Sequence, residues 1–166
     1  MKSIVMIFFL LLATGVSYGQ NMKSVSEKSV VQFEFVKKDV KGSVTGLEAE
    51  ITFDEANTGA MKIQGKIPVK NLSTENKKRD EHLKSSDYFD ATKHPFMYFT
   101  SNGIDVHEKG FKMAGILKIK NIEKKCVWYF SFQDGVFKGR TVINSKDFGI
   151  MDSEVRITVT VPVVQQ

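Results

Sequence analysis

The 166 residues include a single cysteine, Cys126, and only three prolines. One thiol forms no internal disulfide, so the fold rests on its apolar core alone. Cys126 stands in the strand-like run KKCVWYFSF and reads as a small buried hydrophobe rather than a nucleophile. No G-x-S-x-G, P-loop or dinucleotide fingerprint occurs anywhere. Asp80, Glu81, Asp87 and Asp90 are acidic, but they sit in a polar segment where such residues usually cap helices and form turns. The three histidines are His82, His94 and His107. Asp80 and His82 are two apart and diverge on a helix, whereas helical metal ligands stand three or four apart. The expectation is a protein that is not an enzyme, with no catalytic residue, metal or cofactor.

Long apolar runs are also scarce. The one of note, Ile4 to Ala13, follows the basic Lys2 and precedes the small residues Ser17 and Gly19. It is shorter than the roughly 20 residues that span a bilayer. The expectation is a signal peptide over residues 1–19, cleaved near Gly19/Gln20, and a periplasmic or secreted domain over 20–166. Cleavage removes one basic residue and leaves 23 basic against 19 acidic, a net +4. The lysines are spread along the chain rather than clustered, which argues against nucleic acid as a partner. A weak attraction to anionic headgroups, and so a transient membrane contact, is compatible with this charge.

Strict alternation is what the chain has in abundance. Leu47 to Phe53 places an apolar residue at every odd position, and Val155 to Val161 repeats the pattern. Period two marks strands with one dry and one wet face, and a slip of one residue would reverse every side chain. Strands are predicted at about 29–36, 44–54, 60–70, 95–106, 110–120, 125–132, 136–144 and 154–163. Turn-like residues join them at 54–59, 107–110 and 133–135. The fold class is all-β with one short helix, an antiparallel sheet of about eight strands closed as a barrel or folded as a sandwich.

Residues 71–94 break the alternation. Ser73 or Thr74 is predicted to cap a helix over Glu75 to Ser85, whose only large apolar residue is Leu83. Strand parity assigns the interior. The early strands contribute Phe33, Phe35, Leu47, Ile51 and Phe53, then Met61, Ile63 and Ile67. The middle strands contribute Met97, Phe99, Phe111, Met113 and Leu117. Trp128, Phe130 and Phe132 follow, with Ile157 and Val159 at the end. This face is rich in Phe and in pliable Met, and Gly65, Gly115 and Gly139 fall within strands, where glycine marks bends or room for a ligand. An eight-stranded barrel is just wide enough to fill itself or to hold one small ligand, and composition does not choose between them.

Several spaced motifs point further. Arg79, Asp80, His82, Leu83, Asp87, Phe89, Asp90, Pro95, Phe99 and Ser101 form a run of the type Arg-Asp-x-His-Leu, Asp-x-Phe-Asp, Pro and Phe-x-Ser. Val44 to Phe53, Ala114 to Ile119 and Ile143 to Gly149 add three more motifs in order. The chain resembles the YceI-like family over nearly all of residues 20–166. The resemblance implies an extended lipocalin-like antiparallel barrel with a helix, export to the periplasm, and a polyisoprenoid or similar amphiphile in the barrel. A polyprenyl chain or isoprenoid quinone would then be the bound lipid, and a homodimer is a further expectation. The helical segment and the turn after it, with Arg79, Asp80, His82, Asp87, Phe89 and Asp90, are expected at the cavity mouth or flank. Two departures stand out. Ser145 replaces a frequent arginine, which puts headgroup recognition in question, and Trp128 with Tyr129 makes its strand bulkier.

Two rival functions carry their own marks. A surface-acting periplasmic stress factor would have a filled core. A hydrolase of lipid or polysaccharide would use His82, Asp80 and His94.

Overall fold

A computed structural model describes residues 19–166. The expected signal peptide lies outside the described residues, apart from Gly19 at its end. The strands are β1 (Gln20–Ser24), β2 (Val30–Phe35), β3 (Val40–Thr45), β4 (Glu48–Phe53), β5 (Lys62–Pro68) and β6 (Leu72–Ser73). After helix α1 (Lys77–Lys84) come β7 (Phe96–His107), β8 (Gly110–Ile119), β9 (Ile122–Gln133), β10 (Val136–Asn144) and β11 (Glu154–Gln165).

Every pairing is antiparallel, and the order β1-β4-β5-β7-β8-β9-β10-β11 returns to β1 through a further β1–β11 pairing. Eight strands therefore close as a barrel. The twelve-residue β11 divides one edge between two partners: Val155–Thr160 pair with β2, and Val163–Gln165 pair with β1. The β2–β3–β6 arm thus extends the sheet beyond the ring. Helix α1 lies next to β6, with Leu83 buried.

The dry faces assigned by alternation are the inner faces, but four details differ from expectation. The single strand expected over 44–54 is broken at Gly46, whose φ of +81° turns the chain between β3 and β4. The strands β1 and β6 were not anticipated. The helix starts at Lys77 rather than Glu75, because the Asn76 side chain, not Ser73 or Thr74, accepts the Arg79 amide hydrogen bond at 3.0 Å. A bulge between Ser101 and Gly103 shifts the register of β7 against β8. The inward parity moves with it, from Met97 and Phe99 to the buried Ile104.

The hairpin turns stand where expected. Glu108 has φ +49°, and Asp134 and Gly135 have φ +52° and +71°, the left-handed pair that a tight two-residue hairpin needs.

Two apolar cores follow. One fills the ring end where β1 closes the barrel. Phe53 packs edge-on against Phe111, Phe132 and Phe137 at centroid separations of 5.5, 4.7 and 5.3 Å, and Phe132 stacks on Phe137 at 4.3 Å. The other lies under the β2–β3 arm and joins Phe35, Val44, Leu72, Leu83, Phe89 and Phe148.

Candidate ligand-binding cavity

Between the two cores lies an apolar cavity of about 170 Å³. An apolar void of roughly 150 Å³ in a protein core is large enough to stay dry and accept a benzene-sized guest. Many of the residues assigned inward by parity line it. Leu47, Ile51, Ile63 and Ile67 form one side, Met97, Phe99, Met113 and Leu117 the next, and Trp128, Phe130, Ile157 and Val159 the third. Phe53, Met61, Phe111 and Phe132 do not line the cavity; they belong to or pack against the core at one end and form a solid floor. Parity identifies a side chain as inward, but it does not separate floor from wall.

Parity reasoning missed Val31, Ala49, Ile119, Phe137 and Val161, which also line the cavity. All five obey the same alternation and could have been read from it. Gly65 and Gly139 line it too, and a missing side chain at each leaves part of the void open.

Phe33 and Phe35 border a second cavity of about 70 Å³ beneath the β2–β3 arm, with Leu72 and Phe89. Val31, Met97, Ile119 and Ile157 line both voids and form the partition between them. Met97 is the unbranched, pliable member of that partition.

The wall thins at β5 and β7. Gly65, Lys66, Tyr98 and Phe99, with Ala49, border both the main cavity and a polar groove outside the barrel. Lys66 and Tyr98 are paired across the two strands. They are the only ionisable side chains among the lining residues, and the wall carries no nucleophile beside a base. The arrangement suits apolar binding.

The motif residues 79–90 have a different place. Asp80 accepts hydrogen bonds from the Thr74 amide at 2.7 Å and the Thr74 hydroxyl at 2.5 Å. Arg79 donates from Nε to the Thr74 hydroxyl at 2.8 Å and from Nη2 to the Thr74 carbonyl at 2.9 Å. The pair thus clamps buried Thr74 and ties α1 to β6. Phe89 enters the arm's core and walls the second cavity. His82 is exposed and meets the Tyr88 ring edge-on at 4.8 Å. Asp87 is exposed, and the Asp90 carbonyl accepts from the His94 amide at 2.8 Å. The segment flanks the second cavity and does not line the main one. Among the described residues, no three His, Cys, Asp or Glu side chains converge as metal ligands would.

Burial pushes the Asp80 carboxyl up, but the Thr74 hydroxyl and amide, helped by Lys84 and Ser73, outweigh it and hold the group below its ordinary value. A depressed folded-state value means that the stabilisation is complete above the unfolded pKa, near about 4, and is lost as pH falls through the folded value. Amide exchange at Thr74, corrected for intrinsic rates, is therefore expected to lose protection only as pH falls below about 4. Asp80→Asn is expected to remove that pH dependence; an unchanged dependence in the variant would assign it elsewhere.

Ser145, at the position of the family's frequent arginine, is buried and lines the second cavity. Its hydroxyl shares one proton between the Met151 and Ser153 carbonyls, so it closes a loop and leaves no cation there.

A family model for the YceI-like domain matches residues 22–164. The chain belongs to the YceI-like family. A UPF0312 protein of Pectobacterium carotovorum is 31% identical over 83 residues, covering 50% of this chain and 43% of its own length. The chain thus spans under half the length of that relative. A UPF0312 protein of Azotobacter vinelandii is 25% identical over 142 residues, with 75% and 74% covered. Among solved structures, Burkholderia cenocepacia BcnA shares the fold with a TM-score of 0.69 at 18% identity, covering 86% of this chain and 96% of that one. A polyisoprenoid binding domain from Saccharophagus degradans, implicated in plant cell wall breakdown, has a TM-score of 0.64 at 9% identity, covering 87% and 98%. These likenesses show the YceI-like fold: a closed antiparallel barrel with one helix.

Proposed function

We propose that this YceI-like barrel is an exported lipid-binding protein that holds an isoprenoid or similar long amphiphile for carriage, storage or sensing. The observation that carries this reading is the closed barrel's apolar cavity, lined almost wholly by aliphatic and aromatic side chains. Each buried methylene contributes about 0.8 kcal/mol, so a five-carbon isoprene unit supplies roughly 4 kcal/mol before the cost of ordering the tail. The main void holds a ring or a short segment. A longer tail extends into the second void when Met97 swings from the partition.

Export rests on the apolar run at residues 4–13. Strand β1 begins at Gln20, so cleavage before that residue removes no strand position. Exposed Val127, Tyr129 and Val142 lie along an outer groove with Lys125, Arg140 and Arg156. That mixture of apolar and basic side chains supports a transient contact with anionic membrane surfaces during loading.

The aromatic floor favours a second reading, in which the core is filled and the protein acts through its surface. Solvent extraction of the purified protein followed by mass spectrometry separates the two. A stoichiometric isoprenoid or other long-chain lipid is expected. A protein that is reproducibly empty and takes up no added lipid would overturn the carrier reading.

A further inference from the structure

One joint of the barrel is open along part of its length. The β9–β10 ladder runs from Gln133 and Val136 only as far as Tyr129 and Arg140. Beyond that pair each strand stays paired on its other side, β9 with β8 down to Ile122 and β10 with β11 down to Asn144. The Thr141 hydroxyl donates to the Val127 carbonyl at 2.7 Å and pins the top of the gap. The turn Ser145–Phe148 packs against β9, and the Lys120 ammonium donates to the Gly149 carbonyl at 3.2 Å; together they close its foot. Bonded pairs recur at every second residue of an antiparallel ladder. Counted from the two-residue turn at Asp134 and Gly135, the next pairs would be Val127 with Val142 and Lys125 with Asn144, and the ladder stops short of both. Their N–H and C=O groups rim the gap.

The back of the gap is apolar, lined by Cys126, Phe148 and Ile157. Cys126 has inward parity yet is only half-buried, whereas Trp128 and Phe130 on the same face are 8% and 7% exposed. The wall is therefore open at the level of Cys126. Ile157 borders the gap, the main cavity and the second cavity, so it stands between the outside and both voids.

The main cavity lies between two packed cores, so a chain longer than the void leaves it sideways. At a laddered joint that exit breaks backbone hydrogen bonds; at this one it breaks none. We propose that the β9–β10 gap seats the polar head of a long amphiphile whose tail passes Ile157 into the main cavity. This inference rests on the lipid-binding reading and adds the place and the chemistry of the head. The rim carries N–H donors and C=O acceptors alike, so the head that answers both is neutral and does both, a hydroxyl or a primary amide. An anion leaves the carbonyls unanswered. The side chains along the gap are of both signs, Lys125 and Arg140 against Asp147 and Glu154, and Arg156 is held by Glu154 at 3.3 Å.

The chain has one cysteine and it stands at the back of the gap, so a thiol reagent reads this place alone. The test labels Cys126 of the intact protein with a maleimide, with and without geranylgeraniol or limonene, a guest small enough for the main cavity alone. Geranylgeraniol at about ten times its Kd is expected to slow labelling by about tenfold, and limonene is expected to leave it unchanged. Calorimetry then compares the protein with Cys126→Phe, which crowds the gap at a position that lines neither cavity. The variant is expected to bind geranylgeraniol on the order of tenfold more weakly and limonene equally well. In the unsubstituted protein the methyl ether of geranylgeraniol, which accepts but does not donate, is expected to bind about fivefold more weakly than the alcohol. Unslowed labelling with geranylgeraniol bound overturns the seat in the gap and leaves lipid binding standing. The ether or geranylgeranyl phosphate binding more tightly than the alcohol overturns the head chemistry. Binding of none of the probes overturns both this inference and the lipid-binding reading. Should Cys126→Phe fail to fold, the labelling rates decide the matter in the unsubstituted protein.

Discussion

Phe148→Ala is expected to lower the unfolding free energy by about 3–5 kcal/mol, the range for deleting a fully buried phenyl ring. Phe148 is 1% exposed and ends the short 3-10 turn Ser145–Phe148. Two hydrogen bonds and a left-handed glycine fix that turn. The Asn144 side chain accepts from the Lys146 amide at 3.0 Å, Gly149 leaves it at φ +65°, and the Ser145 amide donates to the Ser153 carbonyl at 3.0 Å. A loop tied at so many points cannot collapse into the space left by the ring, so the cost falls high in the range. Urea denaturation is the measurement: the midpoint should fall with an unchanged slope. A loss below about 1 kcal/mol would show that the arm's core repacks freely.

Gly65→Val is expected to act on binding and not on folding. Gly65 faces the main cavity from β5, and a Cβ there meets the Glu48 carbonyl and Leu47 Cδ1 at 3.5 Å and Ala49 Cβ at 3.7 Å, all ordinary contacts. Valine also suits a strand better than glycine. Its methyl groups take the place of about two to three ligand methylenes, which at about 0.8 kcal/mol each is a loss of about 2 kcal/mol, or roughly thirtyfold in affinity. The melting temperature should hold or rise. Titration with a fluorescent isoprenoid beside a thermal melt checks both. Undiminished affinity would place the ligand elsewhere. Gly115 makes the contrast: a Cβ there would stand 2.4 Å from the Phe99 ring and 2.6 Å from the Thr100 carbonyl, so that strand crossing admits nothing larger than glycine.

Alternation carried the fold a long way, because a residue on a two-faced strand has only two places to point. Leu47, Ile51, Met113 and Trp128 all face the cavity as their parity requires. Where parity failed, a glycine had intervened inside a run that otherwise reads as one strand. Gly46 breaks a strand, and the inward face changes from even positions (Val40, Val44) to odd ones (Leu47, Ala49, Ile51) across it, a phase change hidden in the short run before the glycine. The bulge between Ser101 and Gly103 inverts the faces of β7; Asn102-Gly103 is a turn-type pair that marks it, set inside a run otherwise patterned as one strand. The division between wall and floor was illegible for another reason. Phe53, Phe111 and Phe132 have the same chemistry as Phe99 and Phe130, and only their mutual packing across the barrel shows which rings meet each other and which surround a void. The motif at residues 79–90 was legible as a motif, but its work is local: Arg79 and Asp80 hold Thr74.

The barrel's seam has a kinetic consequence. Met22 pairs with Gln165 and the Gln166 amide reaches the Asn21 carbonyl at 3.0 Å, so strands at opposite ends of the described chain make the closing contact. No partial sheet can be sealed before those ends meet, and such long-range closure is slow. Until it happens, β1 and the far end of β11 are bare edges beside an open apolar interior. Assembly errors should therefore concentrate at this one joint, where two unfinished copies can complete each other's sheets.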